Sequence, residues 1–197
     1  MTASAAQPAD AQDLHILAFG DSLIAGYGLP RQEGFAPRLE KVLRDLGLPA
    51  TVINSGVSGN TAGNGRARIR WTLDRLKRNP DLAIVGLGAN DMLRGIPASE
   101  TREDLDAILA ELRRRDIPIV LAGMMAPPFL GHRYTTEFNR IFPDLAGKYG
   151  VPLYPFFLAG VAGNPAMNQR DRVHPNARGA ERMAKGIAPT VVSALRR

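Results

Sequence analysis

Short, nearly all-apolar runs alternate along the chain with longer segments whose apolar side chains recur every three or four positions. The runs are "HILAFG" at 15–20, "ATVINSG" at 50–56, "LAIVGLG" at 82–88, "IPIVLAG" at 117–123 and "VPLYPF" at 151–156. Each has the length and composition of a buried strand. Between them, Phe35, Leu39, Val42, Leu43 and Leu46 have helical spacing, and Gly47 ends that pattern. Ile69, Leu73 and Leu76 mark one face of a helix over 61–78, and Leu105, Ile108, Leu109 and Leu112 one over 99–115. Further helices are predicted over 134–149 and 176–195, the latter broken or kinked at Pro189. Strands that alternate with helices build a parallel sheet covered on both faces, which is why the strands carry few polar positions.

In such sheets, ligands bind outside the carboxyl ends of the strands. The segments that matter are therefore "GDSLIAGYG", "SGVSGNTAG", "GANDMLRG", "GMMAPPFLG" and, after the fifth strand, "NQRDRVHPN". The less common residues of the chain collect in these places.

A length of 197 residues suits one domain, expected over 14–197. Residues 1–13, "MTASAAQPADAQD", are small and polar and are expected to form a disordered tail. They have no apolar core and do not read as an intact signal peptide, which leaves the compartment, periplasmic, secreted or cytoplasmic, open. With 45% hydrophobic and 22% charged residues and no apolar run near eighteen, the chain reads as globular without a membrane span. The absence of cysteine excludes disulfides, thiolate metal sites and a cysteine nucleophile.

The net charge of +6 raises the question of a polyanionic partner. The basic residues are scattered, however. "RRR" at 113–115 sits at a helix end, where cations suit the dipole, and "GRARIR" at 65–70 spreads its charges around a helix. No recognition motif accompanies them, so no nucleic-acid partner is expected.

Of three histidines, His15 begins a strand and His132 follows the fourth one. His174 has Asp171 three residues before it, a spacing that on a helical turn puts both side chains on one side. The carboxylate could hold one imidazole nitrogen and leave the other to take a proton. Ser22 ends the first strand at the ligand edge, while Ser55 and Ser58 compete from the second loop. There is no Gly-x-Ser-x-Gly elbow. Gly56, Gly59 and Gly63 let backbone approach a ligand and present N–H groups. Asn90 ends the third strand with an amide that can donate to a developing oxyanion, and the N–H groups of Ser22 and Gly59 would complete a three-donor hole. Asp21 and Asp91 read as loop-shaping acids.

With these residues in this order, the chain resembles the SGNH-hydrolase, or GDSL, superfamily. Four blocks carry the resemblance: "FGDSLIAGYG", "NSGVSGNTAG", "GLGANDMLRG" and "DRVHPN". They extend it over about 15–195. Within the superfamily, "GHRYTTEFNRIFPDLAGKYGVPLYPFF" resembles the bacterial thioesterase I / lysophospholipase L1 / arylesterase group. Ala89 stands where glycine is frequent, a small departure next to Asn90.

The resemblance implies a flavodoxin-like three-layer α/β/α fold with a five-stranded parallel sheet. It implies hydrolysis of esters and thioesters without a cofactor or metal. Ser22 would be the nucleophile, His174 and Asp171 the rest of the triad, and Ser22, Gly59 and Asn90 the oxyanion hole. The expected partner is a small acyl ester of short to medium chain, held in a shallow groove of Ile24, Met92, Leu93, Met124, Pro127, Phe129 and Leu130. The rival readings are a carbohydrate or peptidoglycan O-acetylesterase with the same triad and a flavodoxin-like nucleotide or flavin binder. The second would use "GDSLIAGYG" as a phosphate loop, but that stretch has an acid and no lysine.

Overall fold

The computed structural model describes residues 13–196. Five parallel strands form one sheet: β1 (Leu14–Gly20), β2 (Ala50–Gly56), β3 (Leu82–Gly86), β4 (Ile119–Ala122) and β5 (Leu153–Tyr154). Their spatial order is β2-β1-β3-β4-β5. Five long helices cover it: α2 (Phe35–Asp45), α3 (Ala62–Asp74), α5 (Ala98–Arg114), α6 (His132–Tyr149) and α7 (Ala177–Leu195). Helix α2 packs on α7, and α3 packs on α5, which packs on α6. The sheet is thus the middle of three layers, in the flavodoxin-like strand order. Ile16, Leu17, Phe19, Leu82, Ile84, Val120 and Leu121 are buried on both sides of it. Among the described residues, no helix is long and apolar enough to cross a membrane. The expected tail lies outside the described residues except for Asp13.

The chain leaves β1 towards β2 on one side, then returns to place β3 on the other. That reversal opens a crevice at the carboxyl edge beside β1, where ligands bind in open parallel sheets. The edge is unusually flat there. Gly20, Gly56 and Gly86 stand abreast, Gly20 in register with both of the others. A Cβ on Gly20 would lie 2.3 Å from the Gly86 carbonyl oxygen, and one on Gly56 would lie 2.1 Å from the Ala25 nitrogen. The missing side chains let one turn of helix, α1 (Ser22–Ala25), lie directly across the strand ends.

Several elements depart from the periodicity-based expectation. Helix α1 and α4 (Ala89–Leu93) occupy segments expected to be loops. Strand β5 has two residues instead of six because Pro152 and Pro155 flank it and carry no N–H for a ladder. Helix α7 continues through Pro189 and does not break there. Proline costs a helix interior about 3 kcal/mol. Burial of Ile187, Ala188, Val191 and Ala194 on the same turns offsets that cost. His132 opens α6 and does not sit in the preceding loop.

Candidate active site

Ser22 is the first residue of α1 and is buried, with 8% of its surface exposed. Asp21 caps this turn by accepting a hydrogen bond of 3.0 Å from the Leu23 N–H to Oδ1. Gly26 closes it in the left-handed conformation. The hydroxyl is therefore held by a capped turn seated on three strand ends, which leaves the chain around it little freedom.

His174 reaches Ser22 from the far end of the sequence. Its Nε2 lies 3.0 Å from Ser22 Oγ, and its Nδ1 lies 2.7 Å from Asp171 Oδ2. Asp171 and His174 are not on a helical turn, as their spacing suggests. Arg172 takes a positive φ of 61°, and Asp171 Oδ1 accepts the backbone N–H groups of Val173 (2.9 Å) and His174 (3.0 Å). This Asx-type turn is what aims Oδ2 at the ring. The His174 backbone and side-chain hydrogen bonds, with that of the Val173 N–H, lower the Asp171 pKa to about 2. An imidazole oriented in this way can take a proton from a hydroxyl at 3.0 Å.

The loop is anchored further by Gln169, whose Nε2 donates to the carbonyls of Tyr27 (2.7 Å) and Pro175 (2.9 Å). Gly28 makes room for it, since a Cβ there would meet Gln169 Oε1 at 2.3 Å. The Tyr27 ring lies with its centroid 4.5 Å from that of His174. Of the two glycines of "IAGYG", Gly26 thus ends α1 and Gly28 docks the first loop against the last one.

Asn90 belongs to α4, directly after β3. One proton of its amide goes to the Asn60 carbonyl at 3.0 Å, and the other faces Asp21 Oδ2 at a long 3.4 Å. The second is the weaker contact, and so the one most easily redirected to a ligand. Gly59 adopts a positive φ of 81° in the turn before Asn60, with its carbonyl held by Arg94 Nη2 at 2.7 Å. Ser22, Gly59 and Asn90 come from the loops after β1, β2 and β3, which are neighbours in the sheet.

Two buried acids shape this edge. Burial pushes the Asp21 carboxyl up to about 6, with Asp91 adding to the rise. Asp91 accepts the Ala62 N–H at 2.9 Å and the Thr101 hydroxyl at 3.3 Å, tying α4 to the starts of α3 and α5. Burial raises its pKa as well.

The competing serines are elsewhere. Ser55 Oγ accepts from Arg68 Nη1 at 3.2 Å, and Ser58 is exposed in the next turn. His15 lies at the amino end of β1, and His132 is exposed. Of the expected groove residues, Leu93 and Phe129 are exposed by 62% and 85%, Leu130 is exposed, and Met92 and Pro127 are half-buried. Ile24 and Met124 do not belong with them. Ile24 is fully buried beneath α1 against Gly20, and Met124 is buried where the chain leaves β4. Neither offers surface to a ligand. A void of about 10 Å³, room for one water, lies beside Ser22 and His174, lined by Leu23, Tyr27, Leu29 and Met183.

Three partners escape a reading by residue type: Gln169, Asn60 and Arg68. Arg68 sits three residues after buried Gly65 and four before buried Thr72. In the folded chain that spacing turns it inwards.

Residues 18–182 match the model of the GDSL-like Lipase/Acylhydrolase family. The chain is 36% identical over 180 residues to an arylesterase of Vibrio mimicus, covering 91% of this chain and 89% of that one. It is 33% identical over 180 residues to the thioesterase 1/protease 1/lysophospholipase L1 of Escherichia coli, covering 89% and 84%. Among solved structures it is similar to AlinE4, an SGNH-hydrolase family esterase. That match has a TM-score of 0.81 and 50% identity, and covers 95% of this chain and 99% of that one.

Proposed function

The chain belongs to the GDSL-like lipase/acylhydrolase family and is a carboxylic ester hydrolase, and on that premise we propose that it cleaves short- to medium-chain aryl and alkyl esters, and thioesters, through an acyl-enzyme on Ser22. The observation that carries this reading is the continuous line from Ser22 Oγ to His174 Nε2 at 3.0 Å and from Nδ1 to Asp171 at 2.7 Å.

In this mechanism Ser22 Oγ attacks the acyl carbonyl carbon while its proton passes to His174 Nε2. Asp171 remains ionised, holds the ring and stabilises the imidazolium. The negative charge that gathers on the carbonyl oxygen is met by the N–H groups of Ser22 and Gly59 and by the Asn90 amide. These donors sit on short, hydrogen-bonded turns directly after β1, β2 and β3, which limits the rearrangement they need. The bond to the leaving oxygen or sulfur then breaks, and the Nε2 proton goes to the leaving group. Water, deprotonated by the same nitrogen, attacks the acyl-enzyme. Collapse of the second tetrahedral intermediate releases the acid and returns the proton to Ser22.

Chain length follows from the surroundings. The apolar residues near the edge, Leu93, Phe129 and Leu130, are exposed on short turns of helix, and the space beside Ser22, about 10 Å³, is no larger than a water. Such a surface takes a short acyl group better than a long one. Removing the Ser22 hydroxyl as Ser22→Ala should lower kcat on p-nitrophenyl butyrate by roughly four orders of magnitude or more. Wild-type activity in Ser22→Ala, with loss in Ser58→Ala, would move the nucleophile to the second loop. A rate profile over p-nitrophenyl esters that peaks at long chains would overturn the chain-length reading.

A further inference from the structure

Arg68, on α3, bridges the ends of β1 and β2 and the turn that follows β2. Its Nη2 donates to the carbonyls of Gly20 (2.9 Å) and Ser55 (3.0 Å), its Nη1 to Ser55 Oγ (3.2 Å) and its Nε to Asn60 Oδ1 (2.7 Å). Its guanidinium carbon lies 4.0 Å from the centroid of the Phe19 ring. Gly20 stands two residues before Ser22, Ser55 is the last residue but one of β2, and Asn60 follows Gly59. The Asn60 carbonyl, in turn, takes the Asn90 amide at 3.0 Å. One fixed fork therefore connects the approach to Ser22, the Gly59 turn and, through Asn60, the Asn90 side chain.

We propose that Arg68 is a positioning residue for ester hydrolysis, setting the spacing between Ser22, Gly59 and the Asn90 amide by clamping Gly20, Ser55 and Asn60. The inference rests on the reading of Gly59 and Asn90 as oxyanion donors. Arginine is required because four acceptors spread over two strand ends and a turn need a planar, multidentate donor. A lysine ammonium is a single point with a flexible stem and cannot hold all of them at once. Burial lowers the pKa of Arg68 but leaves the group charged at any working pH. Its acceptors are uncharged, so the contribution is geometric: they cannot hold their places when the fork is gone.

The test is a double-mutant cycle on kcat for p-nitrophenyl butyrate. Arg68→Lys and Arg68→Met should each lower kcat by roughly 10- to 100-fold, as a misplacement of about 1 Å does, with KM changed no more than a few-fold. Asn60→Ala, which removes only the acceptor of the Nε bond, should lower kcat in the same sense by a smaller factor. Combined with Asn90→Ala, the Arg68→Lys change should cost clearly less than it does alone, because part of its effect acts through that amide. Additive losses in the cycle, a defect confined to KM, or wild-type kcat in Asn60→Ala would each overturn the proposal. If the Arg68 variants fail to fold, the Asn60→Ala and Asn90→Ala pair carries the cycle. Wild-type kcat in Asn90→Ala alone would instead defeat the oxyanion reading, whatever Arg68 does.

Discussion

Asp21 carries the least favourable charge near the reacting atoms. It is buried, and its folded pKa of about 6 lies above the ordinary 3.8, mainly because burial penalises the ionised form. The folded state therefore binds more protons than the unfolded one between about pH 4 and pH 6, and stability falls as pH rises through that window. Asp171 works in the opposite sense. Its folded pKa of about 2 makes its contribution present above about pH 4 and lost as pH falls towards 2. In Asp21→Asn, the decline in Tm between about pH 4 and pH 6 should flatten, and an unchanged slope would remove Asp21 from this account. Asn90 belongs to the same scale. Asn90→Ala should lower kcat by about a hundredfold, with KM and the circular dichroism spectrum preserved. A change confined to KM would contradict an oxyanion role. Ser22, Asn90 and His174, the residues proposed for acyl transfer, could be singled out from the sequence because that chemistry needs those residue types in the segments that follow strands. Arg68 could not, because a guanidinium on an amphipathic helix looks the same whether it faces water or a row of carbonyls. Ile24 was misplaced for a related reason: in a capped turn on a sheet edge, one side chain points down into the core.

At the scale of elements, the long helices were legible because several turns of buried positions outweigh any single residue, Pro189 included. The short ones were not. Four residues in α1 and five in α4 are too few to show a period, and Asp21, Asn90 and Asp91 resemble ordinary turn residues. What reveals α1 in retrospect is the glycine at the end of each of the first three strands. Gly56→Ala would place a methyl 2.1 Å from the Ala25 nitrogen, where the neighbour is backbone and cannot rotate away. Overpacking of this kind should cost about 2 kcal/mol or more, and lift α1 off the sheet. Gly147→Ala is the matched control: it lies within α6 with no atom within 4 Å of an added Cβ. It should stabilise by about 0.5–1 kcal/mol. Urea unfolding of the two variants checks the contrast, and equal midpoints would show that the glycine row is dispensable.

For the whole molecule, the strand order alone brings four distant blocks to one edge. That convergence could be anticipated from the alternation of elements, whereas the fastenings between blocks could not. Gln169, for instance, joins residues 142 positions apart through the Tyr27 carbonyl. The positive charge is likewise distributed into local structure. Arg114 and Arg115 hold the nearly buried Glu111 at 2.7 and 2.8 Å, which keeps its carboxyl down at about 2. Arg114 and Arg115 of "RRR" therefore join a network between α3 and α5, in which Arg115 meets Asp74 at 2.7 Å and Arg70 meets Glu111 at 3.3 Å. Because the His174 loop is fastened by few bonds and the sheet by many, Gln169→Ala should separate two transitions. Activity should be lost several degrees below the loss of helix signal, and coincident curves would reject that division.

The hydrogen bond between Ser22 and His174 spans 152 residues. At about 5–20 residues per second, roughly eight to thirty seconds of synthesis separate the serine from this imidazole. Until then a growing chain carries a hydroxyl with no imidazole beside it. If Ser22 and His174 act as proposed, hydrolysis is switched on only once residue 174 has been made and has folded back, and a fragment that stops before it, however well its first strands fold, leaves esters alone.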